Sequence, residues 1–461
     1  MKVAVLNGSP KDMVSVTMQY VRYLQKEFAQ HELVIHHVCG DAKKLEKDDD
    51  AFRAVIDAIG AADAVLWATP VYVLLVPGPY KRFIELVFER GAQAAFRDKY
   101  AAALTTSIRF FDHTAHAYLH AVSEDLGMHF AGAYSAEMYD LLDPAERRRL
   151  TLFWEAFLDA AGQRAPIQRR FDPLMDAPPD YQPDAAQAPE PLPTGGRKIV
   201  VLSDAEPGGN LQRMVDRLCA CFAEPPEVVN LHQIKMVTGC MGCIQCSLDN
   251  VCAFRDADDV YGVYRKLAGA DIVIEAGTVR DRYLSARFKT FWDRGFFNNH
   301  VPILVGKQVA SLVSGPLAQL PGLRETLETM PELQQANLAG IVTDECGDSR
   351  EIDALLEQLA RRLLRCAEQG YVQPPTFLVK AGRKLLRDEI WASLRFVFPN
   401  DHKYYKQHGL YDFPRRSLKT RLTESWYRLL LHLPAFRKEF RKRLKTEMIR
   451  PLEEAVDEAQ I

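Results

Sequence analysis

The sequence predicts an α/β protein with two tandem doubly wound parallel-sheet domains and a mainly helical C-terminal extension. Two observations predict this fold. Short apolar runs alternate with helical stretches through the first 375 residues, and the second half of this region repeats the first. Strands that alternate with helices in this way form a parallel sheet with helices on both faces.

The elements of the first half follow from its apolar runs. Four runs predict strands, at 3–6, 33–38, 64–68 and 101–106. Three stretches with helical periodicity separate or follow them, at 18–28, 51–60 and 81–89. In such sheets, ligands bind at the carboxyl ends of the strands.

The repeat can be read directly from the residues. Residues 2–8 resemble residues 198–204 at an offset of 196, and residues 62–66 resemble residues 270–274 at an offset of 208. The second half has therefore gained twelve residues between these two matches. That window contains residues 240–252, so this cysteine-rich segment resembles an insertion specific to the second half.

Composition and proline content indicate the domain boundaries. Seven prolines lie in residues 171–196, which predicts a semi-rigid extended linker. In the tail, helical patterns at 385–398 and 418–433 each end near a proline. The expected organisation is a first domain at 1–170, the linker at 171–196, a second domain at 197–375 and a basic helical extension at 376–461.

Charge is distributed unevenly along the chain. The net charge is −3, but residues 377–461 hold 19 basic and 11 acidic residues, which leaves +8 there and −11 elsewhere. A basic tail on an acidic body suggests an anionic partner, a membrane surface or docking onto the body itself. Its aromatic residues predict that residues 376–414 pack over the body. Nucleic acid binding is not expected.

Two features indicate the cellular compartment. No run of about 18 apolar residues is present, so no integral membrane segment is expected. The N-terminus does not resemble an export signal, which predicts a cytoplasmic protein. In that compartment, four cysteines within thirteen residues favour a metal site over disulfide bonds.

A glycine turn follows the first strand and leads into a helix, at residues 7–17. Such a turn presents backbone N–H groups and the positive end of the helix dipole. The hydroxyls of Ser9, Ser15 and Thr17 and the charge of Lys11 supply the other groups that a phosphate monoester needs. The alternative is that Ser9 and Ser15 only cap the helix.

Further motifs make this loop more specific. Thr69-Pro70-Val71-Tyr72 ends the third strand, and Lys81-Arg82-Phe83 lies in the next helix. With Gly8-Ser9-Pro10, these motifs resemble the NAD(P)H-dependent FMN reductase family, which has a flavodoxin-like fold. The resemblance implies two sets of FMN contacts. The phosphate would be held by Ser9, Pro10, Lys11, Ser15 and Thr17, and the isoalloxazine ring would be bordered by Pro70, Val71 and Tyr72.

The same resemblance gives a role to the loop after the fourth strand. Residues 106–113 would close the third side of the ring, with Ser107 and Arg109 as cofactor contacts. Family members often carry glycines there, so residues 109–113 depart from the family pattern. His113 is the candidate proton donor, with His116 nearby, and a surface histidine at a helix start is the alternative.

The matching loop of the second half has lost the phosphate chemistry. Gly8, Ser9 and Pro10 correspond to Asp204, Ala205 and Glu206. Two carboxylates close to a phosphate would repel it. Tyr72 likewise corresponds to Arg280, so we expect the second half to bind no FMN.

The strongest motif is C-x2-C-x2-C-x5-C, formed by Cys240, Cys243, Cys246 and Cys252. Four thiolates suit a [4Fe–4S] cluster. Zinc also accepts four thiolates but usually from two separated C-x2-C pairs, so a zinc-stapled loop remains the alternative. A compact four-cysteine motif after the second strand of a flavodoxin-like domain resembles the iron–sulfur flavoproteins, a branch of the same superfamily.

Together these motifs predict an oxidoreductase that passes electrons between a [4Fe–4S] cluster in the second domain and FMN in the first. The expected electron donor is NAD(P)H or a protein carrier, and the substrate is a small molecule. The basic helix at 437–445 would steer an acidic electron-carrier protein, and homo-oligomer formation stays open. The alternatives are an NAD(P)H-dependent FMN or quinone reductase with a zinc-stapled loop, and a non-catalytic redox sensor.

Overall fold

The computed structural model describes residues 1–175, 178–414 and 417–457. The chain forms two compact units, residues 1–404 and residues 405–461. In the described residues, no helix combines the length and the apolar character needed to cross a bilayer.

The first sheet has five parallel strands in the order β2-β1-β3-β4-β5. The strands are β1 (Lys2–Asn7), β2 (Glu32–His36), β3 (Ala64–Pro70), β4 (Tyr100–Ser107) and β5 (His129–Glu137). Its helices are α1 (Val16–Glu27), α2 (Ala42–Lys47), α3 (Asp49–Gly60), α4 (Gly78–Glu89), α5 (Asp112–Asp125) and α6 (Pro144–Gly162). The central strands are almost continuously buried because helices cover both faces.

The second sheet repeats this order. Its parallel strands run β7-β6-β8-β10-β11, and the short β9 pairs antiparallel with β8. The strands are β6 (Ile199–Ser203), β7 (Glu227–Asn230), β8 (Ile272–Arg280), β9 (Tyr283–Leu284), β10 (Gln308–Ser314) and β11 (Asn337–Thr343). The helices are α7 (Asn210–Ala220), α8 (Val260–Gly269), α9 (Ala286–Arg294), α10 (Pro321–Leu333) and α11 (Ser349–Gln369). The order 2-1-3-4-5 is flavodoxin-like, so the expected fold class is confirmed.

The C-terminal extension is helical, as expected, but its first helix begins earlier than the sequence predicts. The extension contains α12 (Phe377–Glu389), α13 (Pro399–Gln407), α14 (Leu418–Leu430) and α15 (Pro434–Asp457). The predicted helix at 385–398 starts instead directly after Pro374-Pro375 and Thr376, and it continues into a π turn at Ile390–Leu394. Proline just before the first turn is compatible with helix initiation, so Pro374-Pro375 here precede the start of a helix.

The proline-rich segment does not run free of the second half. Tyr181 is fully buried, and its hydroxyl donates to the Asp353 carboxylate on α11. Leu192 pairs with Phe222 through an isolated bridge after α7. The proline-rich segment is therefore an extended chain that packs along the second half.

The two halves meet where α4 packs against α9. The contact is reciprocal at its two ends. The Gly78 N–H donates to Asp293 Oδ2 at 2.7 Å, and the Ala286 N–H donates to Glu85 Oε1 at 2.6 Å. Both pairs of residues are related by the offset of 208, so a local pseudo-two-fold axis runs between α4 and α9.

Two buried lysines complete this symmetric contact. Lys81 Nζ donates to Glu85 at 2.9 Å and to the Arg280 carbonyl at 3.1 Å. Lys289 Nζ donates to the Asp293 carboxylate and to the Tyr72 carbonyl, the latter at 2.8 Å. Each lysine thus neutralises a buried carboxylate on its own helix and holds a loop of the opposite half.

Replacing Lys289 by methionine should destabilise the protein strongly. The Asp293 carboxylate would remain buried without a counter-charge, which costs about 3–5 kcal/mol. Thermal unfolding midpoints of the wild type and the variant measure this loss. The control is Lys266→Met, which removes an exposed ion pair with Glu227 and should cost less than about 1 kcal/mol. Equal losses in both variants would contradict the structural role of Lys289.

Candidate functional site

The loop from β1 to α1 is fixed by a close approach to β3. A Cβ atom added at Gly8 would lie 2.5 Å from Thr69 Oγ1, so only glycine fits there. The Ser9 N–H donates to Asn7 Oδ1 at 3.0 Å, and the Lys11 N–H donates to Ser9 Oγ at 3.2 Å. The loop therefore turns tightly at the carboxyl end of β1, with Ser9 buried and Lys11 half-buried.

The other predicted phosphate residues lie along the same loop and at the start of α1. Pro10 is buried within the loop. Ser15 is the N-cap of α1, since its Oγ accepts the Met18 N–H at 3.2 Å. Thr17 Oγ1 lies 2.6 Å from Thr106 Oγ1 on β4. The capping role considered for Ser15 is thus observed, and buried hydroxyls surround the positive end of the α1 dipole.

The predicted ring loop after β3 is a tight two-residue turn. The Val71 N–H donates to the Thr106 carbonyl at 3.1 Å, and Tyr72 and Leu75 exchange backbone hydrogen bonds of 2.7 and 3.0 Å. Among the residues that the structure describes, none forms a hydrogen bond with the buried Tyr72 Oη. Burial raises the pKa of Tyr72 above its ordinary value, so its phenol stays protonated at neutral pH. This hydroxyl is a buried donor that can serve a bound ligand.

Ser107 and Arg109 are held by protein groups in the loop after β4. Ser107 Oγ accepts the Arg109 N–H at 2.8 Å. The Arg109 guanidinium lies 3.1 Å from Glu137 and 2.6 Å from Asp140. Its charge is therefore directed to carboxylates at the end of β5. Arg109, which departs from the glycine-rich family pattern, thus fixes this loop to its own domain through ion pairs.

The two histidines of α5 lie in different surroundings. His113 is exposed, and its Nε2 lies 2.8 Å from Glu325 on α10 of the second half. His116 is half-buried, with Nε2 2.6 Å from Thr105 Oγ1 on β4. Burial lowers the pKa of His116, so this imidazole is neutral at pH 7. The structure thus gives His113 a position between the halves and places His116 against the central strand.

These three loops contain five of the twelve non-glycine residues with positive φ in the described chain. Non-glycine residues with positive φ lie after β1, after β3 and after β4. They are Asp12 (52°), Val73 (39°), Leu74 (64°), Arg109 (58°) and Phe111 (53°). Left-handed conformations of such residues are costly and persist where the surroundings impose them, commonly at functional sites. The carboxyl edge of the first sheet is therefore the candidate site.

The cysteine-rich segment of the second half lies against this site. It connects β7 to α8. A Cβ atom at Gly242 would collide with Tyr72 Oη and would lie 3.2 Å from Lys11 Cε. A Cβ atom at Gly239 would lie 2.9 Å from Pro79, at the start of α4. The backbone between Cys240 and Cys243 therefore touches both the ring loop and the phosphate loop predicted in the first half.

The four cysteines themselves are free thiols. Cys246 is buried and Cys243 is exposed, while Cys240 and Cys252 are intermediate. The buried Arg294 donates to Cys252 Sγ at 3.6 Å and is held by Asp258. Within 1–175, 178–414 and 417–457, no three His, Cys, Asp or Glu side chains are arranged as a metal site. The ligand set of this loop stays a prediction from its spacing.

The equivalent loop of the second half carries a carboxylate at the position of Gly8. The Asp204 N–H donates to the Ala276 carbonyl at 3.1 Å, just as the Gly8 N–H donates to Ala68 at 2.7 Å. The buried Asp204 carboxylate accepts the Thr278 N–H at 2.8 Å and the Ser285 hydroxyl. The donors at this strand end are therefore taken by a side chain of the protein.

The start of the C-terminal extension covers the edges of the candidate site. A Cβ atom at Gly382 on α12 would lie 2.8 Å from the Phe110 ring in the loop after β4. Asn400 Nδ2 donates at 2.9 Å to Asn250 Oδ1, inside the cysteine-rich segment. The expected packing onto the body is thus observed for residues 376–404, whereas residues 405–414 belong to the second compact unit.

Asp204 should make stability depend on pH. Burial raises its pKa, against the opposing effect of hydrogen bonds from Ser285 and Thr278. Between the unfolded and folded pKa values, the folded state binds more protons, so rising pH destabilises the wild type. Relative to the wild type, Asp204→Asn should gain stability as the pH rises towards neutrality from about 4, the ordinary pKa of an aspartate. Thermal midpoints measured over this range test the slope, and parallel curves would contradict it.

Comparison with known proteins gives one family match. Residues 1–139 match the family model described as NADPH-dependent FMN reductase. No curated protein matches the chain.

Solved structures similar to the chain include flavoproteins. One is FerB, a flavoenzyme NAD(P)H:(acceptor) oxidoreductase from Paracoccus denitrificans. Its match to this chain has 26% sequence identity and a TM-score of 0.30, and it covers 35% of this chain and 97% of FerB. A WrbA-like flavodoxin from Agrobacterium tumefaciens is 17% identical over 35% of this chain and 97% of its own, with a TM-score of 0.27. The family match, at residues 1–139, includes the loops after β1, β3 and β4.

Proposed function

We propose that this protein is an FMN-dependent oxidoreductase that exchanges electrons between FMN in the first half and a [4Fe–4S] cluster in the second. The observation that carries the proposal is the contact of Gly242 with Tyr72 and Lys11. Gly242 lies between two of the proposed cluster ligands, Cys240 and Cys243. The predicted cluster loop therefore borders the predicted flavin loops, as electron exchange requires.

The loop at the start of α1 fits the phosphate of FMN. The buried hydroxyls of Ser9, Ser15 and Thr17 and the first N–H groups of α1 would bind the phosphate oxygens. Lys11 would add a positive charge at the rim. Pro10 would hold the turn, and the close fit of Gly8 against Thr69 brings the backbone near to the ligand.

The ring-side residues would orient the isoalloxazine. Pro70, Val71 and Tyr72 would border the ring, and the unpartnered Tyr72 hydroxyl would donate a hydrogen bond to it. Ser107 and Arg109 would close the remaining side. When bound, FMN accepts two electrons as hydride and releases them one at a time. The cysteine loop and α12 would exclude water from this edge of the sheet.

The cysteine segment fits an iron–sulfur cluster by its chemistry. Cys240, Cys243, Cys246 and Cys252 would each supply a thiolate. The hydrogen bond from Arg294 to Cys252 Sγ is of the kind that tunes a cluster's potential. Arg294 is itself held by Asp258, so its direction is fixed.

The reaction would pair a two-electron donor with a one-electron carrier, or a one-electron donor with a two-electron acceptor. The donor would be NAD(P)H or a reduced protein, and the substrate a small molecule that reaches the carboxyl edge of the first sheet. His113 would act as a proton donor only if its ion pair with Glu325 opens. A cytoplasmic location accompanies this proposal, because a reducing compartment preserves the thiolates.

Replacing both Ser9 and Lys11 by alanine should release flavin. Loss of a hydroxyl donor and a positive charge weakens phosphate binding, while the four cysteines themselves are unchanged and keep their iron. Flavin and iron per chain, measured on the purified variant, test this separation. The matched control is Ser203→Ala in the equivalent loop of the second half, which should keep one flavin per chain. A wild-type stoichiometry of two flavins would contradict the proposal.

Replacing Cys246 by alanine should remove or degrade the cluster while flavin is retained. Iron and acid-labile sulfide, measured after anaerobic purification, give the result. Cys346→Ala is the control, since Cys346 is an exposed free thiol outside the motif. Zinc without iron or sulfide in the wild type would exclude the cluster and support the zinc-stapled reductase. Cluster bands that bleach with NAD(P)H in the wild type, but not in the flavin-free variant Ser9→Ala with Lys11→Ala, would support electron exchange from flavin to cluster.

A further inference from the structure

Helix α14 exposes a row of large apolar side chains. Leu418, Leu422, Trp426 and Leu429 are 76%, 70%, 62% and 65% exposed. At about 100° per residue, these four positions span about 80° of the helix circumference. The row is therefore one continuous apolar strip along a single side of α14.

Helix α15 carries a second exposed apolar row. Leu444, Met448, Leu452 and Val456 follow one another at intervals of four residues, and all four are exposed. Residues four apart lie on the same side of a helix. Exposed apolar patches of this kind mark an interaction surface.

The same segment is basic. Residues 417–457 contain ten Lys or Arg and six Asp or Glu, and ten minus six gives a net charge of +4. The rest of the chain then carries −7, since the whole chain carries −3. Arg441, Lys442 and Arg443 form the densest part, on the helix that carries the second apolar row. The partner must therefore be both anionic and able to bury apolar side chains.

We propose that residues 417–457 bind to the surface of a lipid bilayer that contains anionic headgroups. Such a surface accepts leucine and tryptophan side chains at the boundary of its acyl region and pairs lysine and arginine with its headgroups. Tryptophan is enriched at this interface, and Trp426 lies in the apolar strip of α14. An acidic electron-carrier protein, the partner expected from the sequence, complements the charge but leaves the strip in water. The lipid surface is independent of the proposed redox function.

The test uses the full-length protein with its cofactors and vesicle flotation. Vesicles of equal phosphatidylcholine and phosphatidylglycerol should bind it at least about tenfold more tightly than phosphatidylcholine alone. Added salt should weaken binding to the anionic vesicles, because it screens the basic residues.

A double variant and a matched control test the contribution of the apolar strip independently of helix content and charge. Leu422→Ser with Trp426→Ser should lower partitioning at least about tenfold. The matched control is Tyr427→Ser, which removes a 49%-exposed aromatic residue about 180° away from Leu418 on the same helix. It should change partitioning less than about twofold, since its side chain lies off the strip. Far-UV circular dichroism confirms that both variants retain their helices.

A charge variant provides the second arm. Replacing Arg441, Lys442 and Arg443 by glutamine should also weaken binding about tenfold or more. The proposal is overturned if the protein floats with neither vesicle. It is also overturned if only the charge variant loses binding, because the apolar strip would then take no part in binding the bilayer. A wild-type dimer that dissociates on Leu422→Ser with Trp426→Ser would assign the strip to a second copy of the chain, and so overturn it as well.

Discussion

The candidate site depends on the buried ionic contact between α4 and α9. Lys289 spans this contact, because it neutralises Asp293 and also holds the carbonyl of Tyr72 in the opposite half. The turn that presents the Tyr72 ring is therefore positioned by the second half of the chain. The same contact sets the relative orientation of the halves that brings Gly242 onto Tyr72. Neither half alone provides the complete arrangement.

The two halves share a strand order but treat the first loop differently. At the end of β1, Gly8 packs on the Thr69 side chain and leaves a loop of hydroxyls and backbone N–H groups. At the end of β6, Asp204 stands where the first half has Gly8, and its carboxylate accepts the Thr278 N–H and the Ser285 hydroxyl. Gly277, the equivalent of Thr69, lies close to Leu284, since a Cβ atom there would be 2.9 Å from that side chain. The end of β1 thus presents hydroxyls and backbone N–H groups, whereas the equivalent place in the second half is filled by a carboxylate of the protein.

Much of the fold was predictable because the central strands are continuous apolar runs that are buried on both faces. The sequence repeat also placed Gly8 opposite Asp204, and the N–H groups of these two residues donate to the equivalent carbonyls of Ala68 and Ala276. Strand β5 was missed, since His129–Glu137 is rich in alanine and half-buried at a sheet edge, without an apolar run. The contact of the cysteine loop with Tyr72 could not be predicted, because it depends on the orientation of two sheets. That orientation rests on buried charges, which sequence patterns assign to the surface.

The pseudo-two-fold contact lies within a single polypeptide, and this has a consequence for how the interface can change. In a dimer of identical subunits, every substitution at the axis occurs twice and must satisfy both sides at once. Here Tyr72 lies on one side of the axis and Arg280 on the other, so a substitution on one side need not be matched by the same substitution on the other. Dilution also cannot separate the halves, because the linker keeps their local concentration high at any protein concentration. The covalent connection thus explains both why the two sides of this interface can differ and why the halves stay together.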